Sequence, residues 1–266
     1  MKTPHPFPSS NSTILKAKVM TSPERYHAVW LHEQYVGTLH HREDFSWFVL
    51  SPRYLNDPNR PVLGLQFEQD LTARHAANVR LPPWFSNLLP EGRLREWIAL
   101  DRKVSPQREM ELLLQVGHDL PGAVRVVEDG GVPEDDPPGQ PPPSHSSSDG
   151  SGSRLRFSLA GVGLKFSMLA RGERLCLPAS GAGGDWIVKL PDRRYPHVPQ
   201  NEYTMMSLAR LAGLDVPDVR LVHRDAIDDL EPAIWHEAEE WAYAVERFDR
   251  TPDDGVIHIE DLAQVR

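Results

Sequence analysis

A single cysteine, Cys176, in 266 residues leaves this chain no intramolecular disulfide and no thiolate zinc site. That scarcity fits a reducing compartment. No run approaches the roughly 18–20 apolar residues that cross a bilayer. The opening residues, Met1 to Thr13, are rich in Pro and Ser and lack the apolar stretch of a secretion signal. Both absences lead to the expectation of a cytoplasmic protein without a membrane partner. Positive charge is also short: 29 Lys and Arg against 38 Asp and Glu give a formal net charge of −9. A grip on a phosphate backbone needs a concentrated cationic surface, so direct nucleic-acid binding is not expected and any link to DNA would run through a partner. No repeat recurs at a fixed period, which argues against a solenoid or propeller. What is present is ordinary for a globular chain, 39 % hydrophobic residues including 8 % aromatics, enough for a real core and for two modest domains.

Composition divides the chain. Residues 128–154 exchange almost every large apolar side chain for Asp, Glu, Pro, Gly and Ser, so burial cannot offset their ordering entropy and a flexible linker is expected. With 1–13 as a disordered tail, the folding units are 14–127 and 155–266. The first opens with strand-like runs, Tyr26 to Leu31, Tyr35 to Leu39 and Trp47 to Leu50, separated by turn residues. Helical text follows, with Leu94, Trp97 and Ile98 at helical spacing. Ser105-Pro106 offers a cap for a helix from Gln107 to Val116, which Gly117 stops. The second unit shows extended runs around Gly161 and Gly163, then strands at Arg174 to Pro178 and Asp185 to Leu190. A helix comes next, capped by Asn201, with Glu202 in its first turn, an apolar stripe of Met205, Leu208, Ala209 and Leu211, and Gly213 as terminator. Strands at Val219 to His223 and Trp241 to Phe248 close the series. The fold class is α+β: a small antiparallel β-sheet or barrel with helices, then an antiparallel sheet with one helix, wired in the order of a kinase small lobe.

Three places could carry chemistry. Gly161, Val162 and Gly163 form a turn whose amides could approach phosphate oxygens, with Lys165 adding a cation, although a Gly-Val-Gly between strands is more often only a turn. Lys189 sits on a mostly apolar strand and needs a counter-charge, from nucleotide phosphates or from Glu202 on the following helix; the plain alternative leaves its ammonium in water. A strand leaving the sheet at Ala244-Val-Glu-Arg-Phe-Asp-Arg250 could offer backbone groups at Glu246 and Phe248 to an adenine edge, or be an ordinary strand end with a surface salt-bridge patch.

Ordered blocks add to this. Ser158-Leu-Ala-Gly-Val-Gly-Leu-Lys-Phe-Ser167, Ile187-Val-Lys-Leu-Pro191, Asn201-Glu-Tyr203, Val216-Pro217 and Val245-Glu-Arg-Phe-Asp-Arg250 occur in the second unit. Val36-Gly-Thr-Leu39, Leu88-Leu-Pro-Glu-Gly92 and Val116-Gly-His-Asp-Leu-Pro-Gly-Ala123 occur in the first. Together they resemble the HipA-like serine/threonine kinases, the toxin components of bacterial toxin–antitoxin modules. The resemblance implies a HipA N-terminal-like domain at 14–127 and a kinase small lobe at 155–266, with ATP and Mg²⁺ as cofactors. It implies that Gly161 to Lys165 form the phosphate loop, that Lys189 contacts phosphate with Glu202 as its partner, and that Glu246 and Phe248 face adenine. Ser158 resembles the serine that family members autophosphorylate, which in the family disables nucleotide binding. The family usually carries Gln where this chain has Gly163, which implies a floppier loop.

Phosphoryl transfer also needs a base and metal ligands, which kinases place in a large lobe. No segment with the family's catalytic Asp near His and Asn is found, so no catalytic residue and no metal ligand is assigned, the large lobe is read as absent, and the chain is expected to be inactive alone. Its expected partner is a HipB-type antitoxin or a separate large-lobe subunit. The alternative is a non-catalytic regulatory protein that docks on or restrains a separate kinase or antitoxin.

Overall fold

The computed structural model describes residues 23–117, 119–129, 159, 163–178, 183–230, 234–235, 238–251, 253 and 255–265. The tail at 1–13 and residues 130–154 of the expected linker therefore lie outside the described residues, while Glu128 and Asp129, expected to open the linker, instead pair with His27 and Tyr26 in the N-terminal sheet.

The N-terminal unit begins with β1 (Arg25–Leu31), β2 (Gln34–Arg42) and β3 (Phe45–Leu50). Short helices α1 (Pro52–Leu55) and α2 (Leu65–Gln69), strand β4 (His75–Asn78), helices α3 (Pro83–Ser86), α4 (Gly92–Arg102) and α5 (Glu109–Val116), and strand β5 (Val124–Asp129) follow. The sheet order is β4-β3-β2-β1-β5, all antiparallel. Val29, Leu31, Leu39 and Phe48 of the sheet share a core with Tyr54, Phe67, Trp84, Phe85, Leu94, Ile98, Leu112 and Leu113 from the helices. Burying one sheet face against helices is what stabilises such a layer. One boundary differs from the sequence reading: α5 begins at Glu109, and Ser105-Pro106 belong to the turn before it. The Glu109 carboxylate accepts the Leu81 N–H at 2.8 Å and meets Arg95 at 3.2 Å, so it is committed to a tertiary site at the helix start.

The second unit comprises β6 (Lys165–Arg171), β7 (Arg174–Cys176), β8 (Trp186–Lys189), α6 (Val198–Leu211), β9 (Val219–His223), β10 (Ile227–Asp228) and β11 (Trp241–Glu246). The order is β10-β7-β6-β8-β11-β9, with only the short β10–β7 pair parallel. Among the described residues no helix is long and apolar enough to cross a membrane.

Helix α6 departs from the sequence reading in two ways. It starts at Val198 rather than at an Asn201 cap, because His197 takes a left-handed conformation (φ 60°, ψ 23°) and Pro199 occupies the first turn, where its missing N–H costs nothing. The buried Glu239 carboxylate accepts the His197 N–H at 3.1 Å. The apolar stripe does not face the sheet either: Met205, Leu208 and Leu211 are 57, 52 and 84 % exposed. Glu202, Tyr203, Met206, Ser207 and Ala209 form the more covered side. Both sets satisfy a 3.6-residue period, and the side turned inward is the one that brings Glu202 to Lys189. The end matches expectation. Gly213 takes φ +86°, its N–H donates to Arg210 O at 3.0 Å and that of Leu214 to Ala209 O at 3.1 Å, a glycine C-cap of the Schellman type.

Candidate functional site

Strands β6, β8 and β11 lie side by side in the second sheet. Their register sets Lys165 opposite Lys189 and Lys189 opposite Tyr243. Directly paired residues of antiparallel strands share a face, so two ammonium groups and a phenol form one row. Glu202 on α6 meets that row: its Oε2 accepts from Lys189 Nζ at 2.5 Å. The same ammonium lies 5.5 Å from the centroid of the Tyr243 ring. The Lys189 and Glu202 side chains are 35 and 31 % exposed, so the pair contributes to stability only as a semi-exposed ion pair does, about 0–1 kcal/mol. Its larger consequence is orientation. Lys165 is 8 % exposed; burial, reinforced by the neighbouring Lys189 cation, pushes its ammonium down to about 8 against the pull of Glu91 and Glu202. Burial and the Glu202 carboxylate push the Tyr243 phenol up to about 12. The two ammonium groups stand side by side on a partly desolvated face with the carboxylates of Glu202 and Glu91 acting on them, and an arriving polyanion would compete with those carboxylates for the cations.

The other expected site residues fall out differently. Ser158, Gly161 and Val162 lie outside the described residues. Gly163 is described, and a Cβ there would meet nothing within 4 Å, so neither space nor backbone conformation demands glycine. At the end of β11, Glu246 is exposed, but its N–H, expected at an open edge, donates to Asp218 O at 2.8 Å. That donor is already committed to the residue just before β9. Phe248 is 67 % exposed. Among the described residues no group of three or more His, Cys, Asp or Glu could hold a metal ion. A separate shallow depression, lined by His41, Asp44, Arg80, Arg108 and Glu111 among others, belongs to the N-terminal unit and touches none of the lysine row.

The sequence reading missed the residues between and after the two expected adenine contacts. Arg247 turns inward and donates through Nε to Asp249 Oδ1 at 2.9 Å, through Nη2 to Asp249 Oδ2 at 2.7 Å, and through Nη1 to Asp119 Oδ1 at 3.3 Å and Ser167 Oγ at 3.1 Å. Arg250 adds 2.8 Å to Asp119 Oδ1 and 2.7 Å to Asp249 Oδ2. The Arg247 side chain is 1 % exposed and that of Asp249 6 %. Burial would push the Asp249 carboxyl up, but the Arg247 guanidinium, with Arg250 and the Gly122 N–H, holds it below the usual carboxylate range. Asp119 and Gly122 come from the N-terminal unit, so this network joins the two units. A second join is made by the last described segment. Glu260 accepts from Trp84 Nε1 at 2.7 Å and from the Leu65 N–H at 2.9 Å, and His258 Nε2 lies 2.8 Å from Leu63 O. The alternating charges of Glu246 to Arg250 suggested a surface patch; nothing local marks them as buried, because the carboxylate that completes the network, Asp119, lies 128 residues from Arg247 and 131 from Arg250.

Comparison with known proteins gives a consistent result. Residues 27–127 match the model of the HipA N-terminal domain and residues 157–266 that of the HipA-like C-terminal domain. Two Sinorhizobium fredii proteins with provisional kinase names are similar: Y4dM, 44 % identical over 245 residues, and Y4mE, 31 % identical over 261. Each alignment covers 89 % of this chain and 58 % of the relative, so the chain spans a little over half the length of these curated relatives. The serine/threonine-protein kinase toxin HipA of Shewanella oneidensis is 28 % identical over 180 residues, 62 % of this chain and 37 % of that one. The solved complex of HipA, HipB and operator DNA from Shewanella oneidensis superposes with a TM-score of 0.58 at 22 % identity, covering 88 % of this chain and 54 % of that one, a likeness of fold. That complex contains DNA, so the expectation of no direct nucleic-acid contact gains no support from it.

Proposed function

This chain belongs to the HipA-like family, and on that premise we propose that residues 155–266 are the ATP-holding small lobe of a HipA-like serine/threonine protein kinase of the toxin–antitoxin type. The N-terminal unit, which runs through Asp129 at the end of β5, is its accessory domain, and the residues after it up to 154 are the linker between them. The observation that carries this reading is the row formed by Lys165 and Lys189, with Lys189 held by Glu202 at 2.5 Å. The donor set fits a polyphosphate: Lys165 and Lys189 would hold phosphate oxygens together with the sequence Gly161-Val162-Gly163, and the segment from Glu246 to Phe248 would border the base. The bound triphosphate would supply the phosphoryl group. For Mg²⁺ the described residues do not fit, and no Asp/Asn catalytic segment occurs in this sequence, so turnover by these residues alone is not expected. A HipB-type antitoxin is the partner that family membership points to, and a cytoplasmic location agrees with the single cysteine.

Isothermal calorimetry with ATP and with inorganic tripolyphosphate tests the reading. Both should bind the wild-type chain, and Lys189→Ala should weaken both by about tenfold or more, the loss of a charge-assisted contact. Absence of binding, or binding indifferent to Lys189, would refute it. A labelled-ATP assay on the chain by itself should show no incorporation into Ser158.

A second reading, a non-catalytic protein that docks on a separate kinase or antitoxin, is favoured by the outward apolar stripe of Met205, Leu208 and Leu211. Contiguous apolar surface of this kind marks contact sites. Pull-down with the product of a neighbouring reading frame separates the two, since a large lobe and an antitoxin are distinct catches.

A further inference from the structure

We infer that Asp119 of the N-terminal unit is a positioning residue for the segment Glu246 to Phe248, acting through Arg247 and Arg250, so that the accessory domain sets the grip on the base while the lysine row sets the grip on phosphate. The inference rests on the nucleotide reading above.

The geometry begins with alternation. Glu246 and Phe248 point outward, whereas Arg247 and Asp249 are buried between them. The strand ends at Glu246 and the next residues form a tight turn, with the Arg250 N–H donating to Arg247 O at 3.3 Å, so whatever fixes the inward pair also fixes the short backbone stretch that carries the outward pair. The inward pair is held from two sides. From its own unit, the Arg247 N–H donates to Asp185 O at 2.8 Å, and Arg247 Nη1 reaches Ser167 Oγ, which also accepts the Gly184 N–H at 3.1 Å. These contacts tie the segment to β6 and to the start of β8, the strands that carry Lys165 and Lys189. From the N-terminal unit, Asp119 Oδ1 accepts from both arginines, the Gly122 N–H donates to Asp249 Oδ2 at 2.9 Å, and Arg250 donates to Leu120 O at 3.2 Å and Gly122 O at 3.3 Å. Two guanidinium groups therefore share two carboxylates in a nearly dry junction. Removing the charge of Asp119 leaves Arg247 and Arg250 competing for Asp249. A buried guanidinium short of an acceptor moves to find one, and the backbone between Glu246 and Phe248 moves with it. The Lys189–Glu202 pair shares no partner with this junction and is untouched.

The test uses the full chain and three probes, ATP, adenosine and inorganic tripolyphosphate, titrated by calorimetry into wild type, Asp119→Asn and Arg250→Gln, with amide exchange of the peptide covering 242–250. Asp119→Asn and Arg250→Gln should weaken ATP and adenosine by about tenfold and leave tripolyphosphate within about twofold, the size expected for residues coupled in one network. Exchange at the Glu246 and Arg247 amides should quicken. Unchanged ATP affinity in a folded variant overturns the inference, and so does an equal loss of ATP and tripolyphosphate, which a merely structural role would produce. Should Asp119→Asn fail to fold, Arg250→Gln reads the same link while leaving Arg247 between its two carboxylates. If wild type binds none of the probes, the nucleotide reading falls, and exchange alone decides the positioning role: quickened amides uphold it and unchanged protection overturns it.

Discussion

Raising the pH should release polyphosphate from this protein before any other part of the lysine row titrates. Lys165 is 8 % exposed and sits directly across from Lys189, and burial with that neighbour pushes its ammonium down to about 8. With that value about nine-tenths of the chains carry the charge at pH 7 and about one-tenth at pH 9, so affinity for inorganic tripolyphosphate should fall by about tenfold across that span. The bound anion favours the charged form, so binding above pH 8 takes up a proton, visible as a dependence of the calorimetric heat on buffer. The effect on stability has the opposite direction. A lysine whose folded value lies below its unfolded one, near 10.4, binds more protons when unfolded, so unfolding free energy rises between about pH 8 and pH 10.4 as the burden of the desolvated cation is relieved. Lys165→Arg provides the control, since a guanidinium does not titrate there. A tripolyphosphate affinity that is flat from pH 7 to 9 in wild type, or one that falls equally in Lys165→Arg, would refute the reasoning.

Three further outcomes follow from packing and charge. Gly184→Ala places a Cβ 2.5 Å from Ser167 Oγ and 2.6 Å from Ser167 C, and should cost about 1–3 kcal/mol in urea denaturation, whereas Gly163→Gln meets open space and should stay within about 0.5 kcal/mol. Trp84→Phe removes the indole donor from Glu260 and should cost about 1–3 kcal/mol by the same measurement, with no change if the C-terminal segment is not held there. Asp249, held below the ordinary carboxylate range by Arg247, contributes stability that is present above its unfolded value near 3.9 and is lost as pH falls through the lower folded one. Acid denaturation followed by circular dichroism should therefore be less steep in Asp249→Asn than in wild type.

Most strands of both sheets could be read from local pattern because each is signalled by its own residues, whereas β4, β5 and β10 were not anticipated. Tyr26 to Leu31 and Trp47 to Leu50 alternate or run apolar between turn residues, and Gly213 ends α6 at the residue where the left-handed turn occurs. The Lys189–Glu202 pair was equally legible, since a charge on an apolar strand requires a partner and a helix a dozen residues on can offer one. The start of α6 was misjudged because Pro199 and the left-handed His197 outcompete an Asn201 cap, and its outer stripe because two faces of one helix satisfy the same period.

Local chemistry therefore settles most of the strands, the longer helices, the stop of α6 at Gly213 and the need of Lys189 for a counter-charge, since those outcomes depend on neighbours within about four residues or on side-chain type alone. Which strands lie adjacent, which helix face turns inward, and that Asp119 meets Arg247 and Arg250 across the two units emerge only when the chain closes on itself. Those contacts join residues whose separation along the chain carries no periodic trace; burial of apolar surface supplies the free energy that closes the chain, and each charge carried inside then requires its complement.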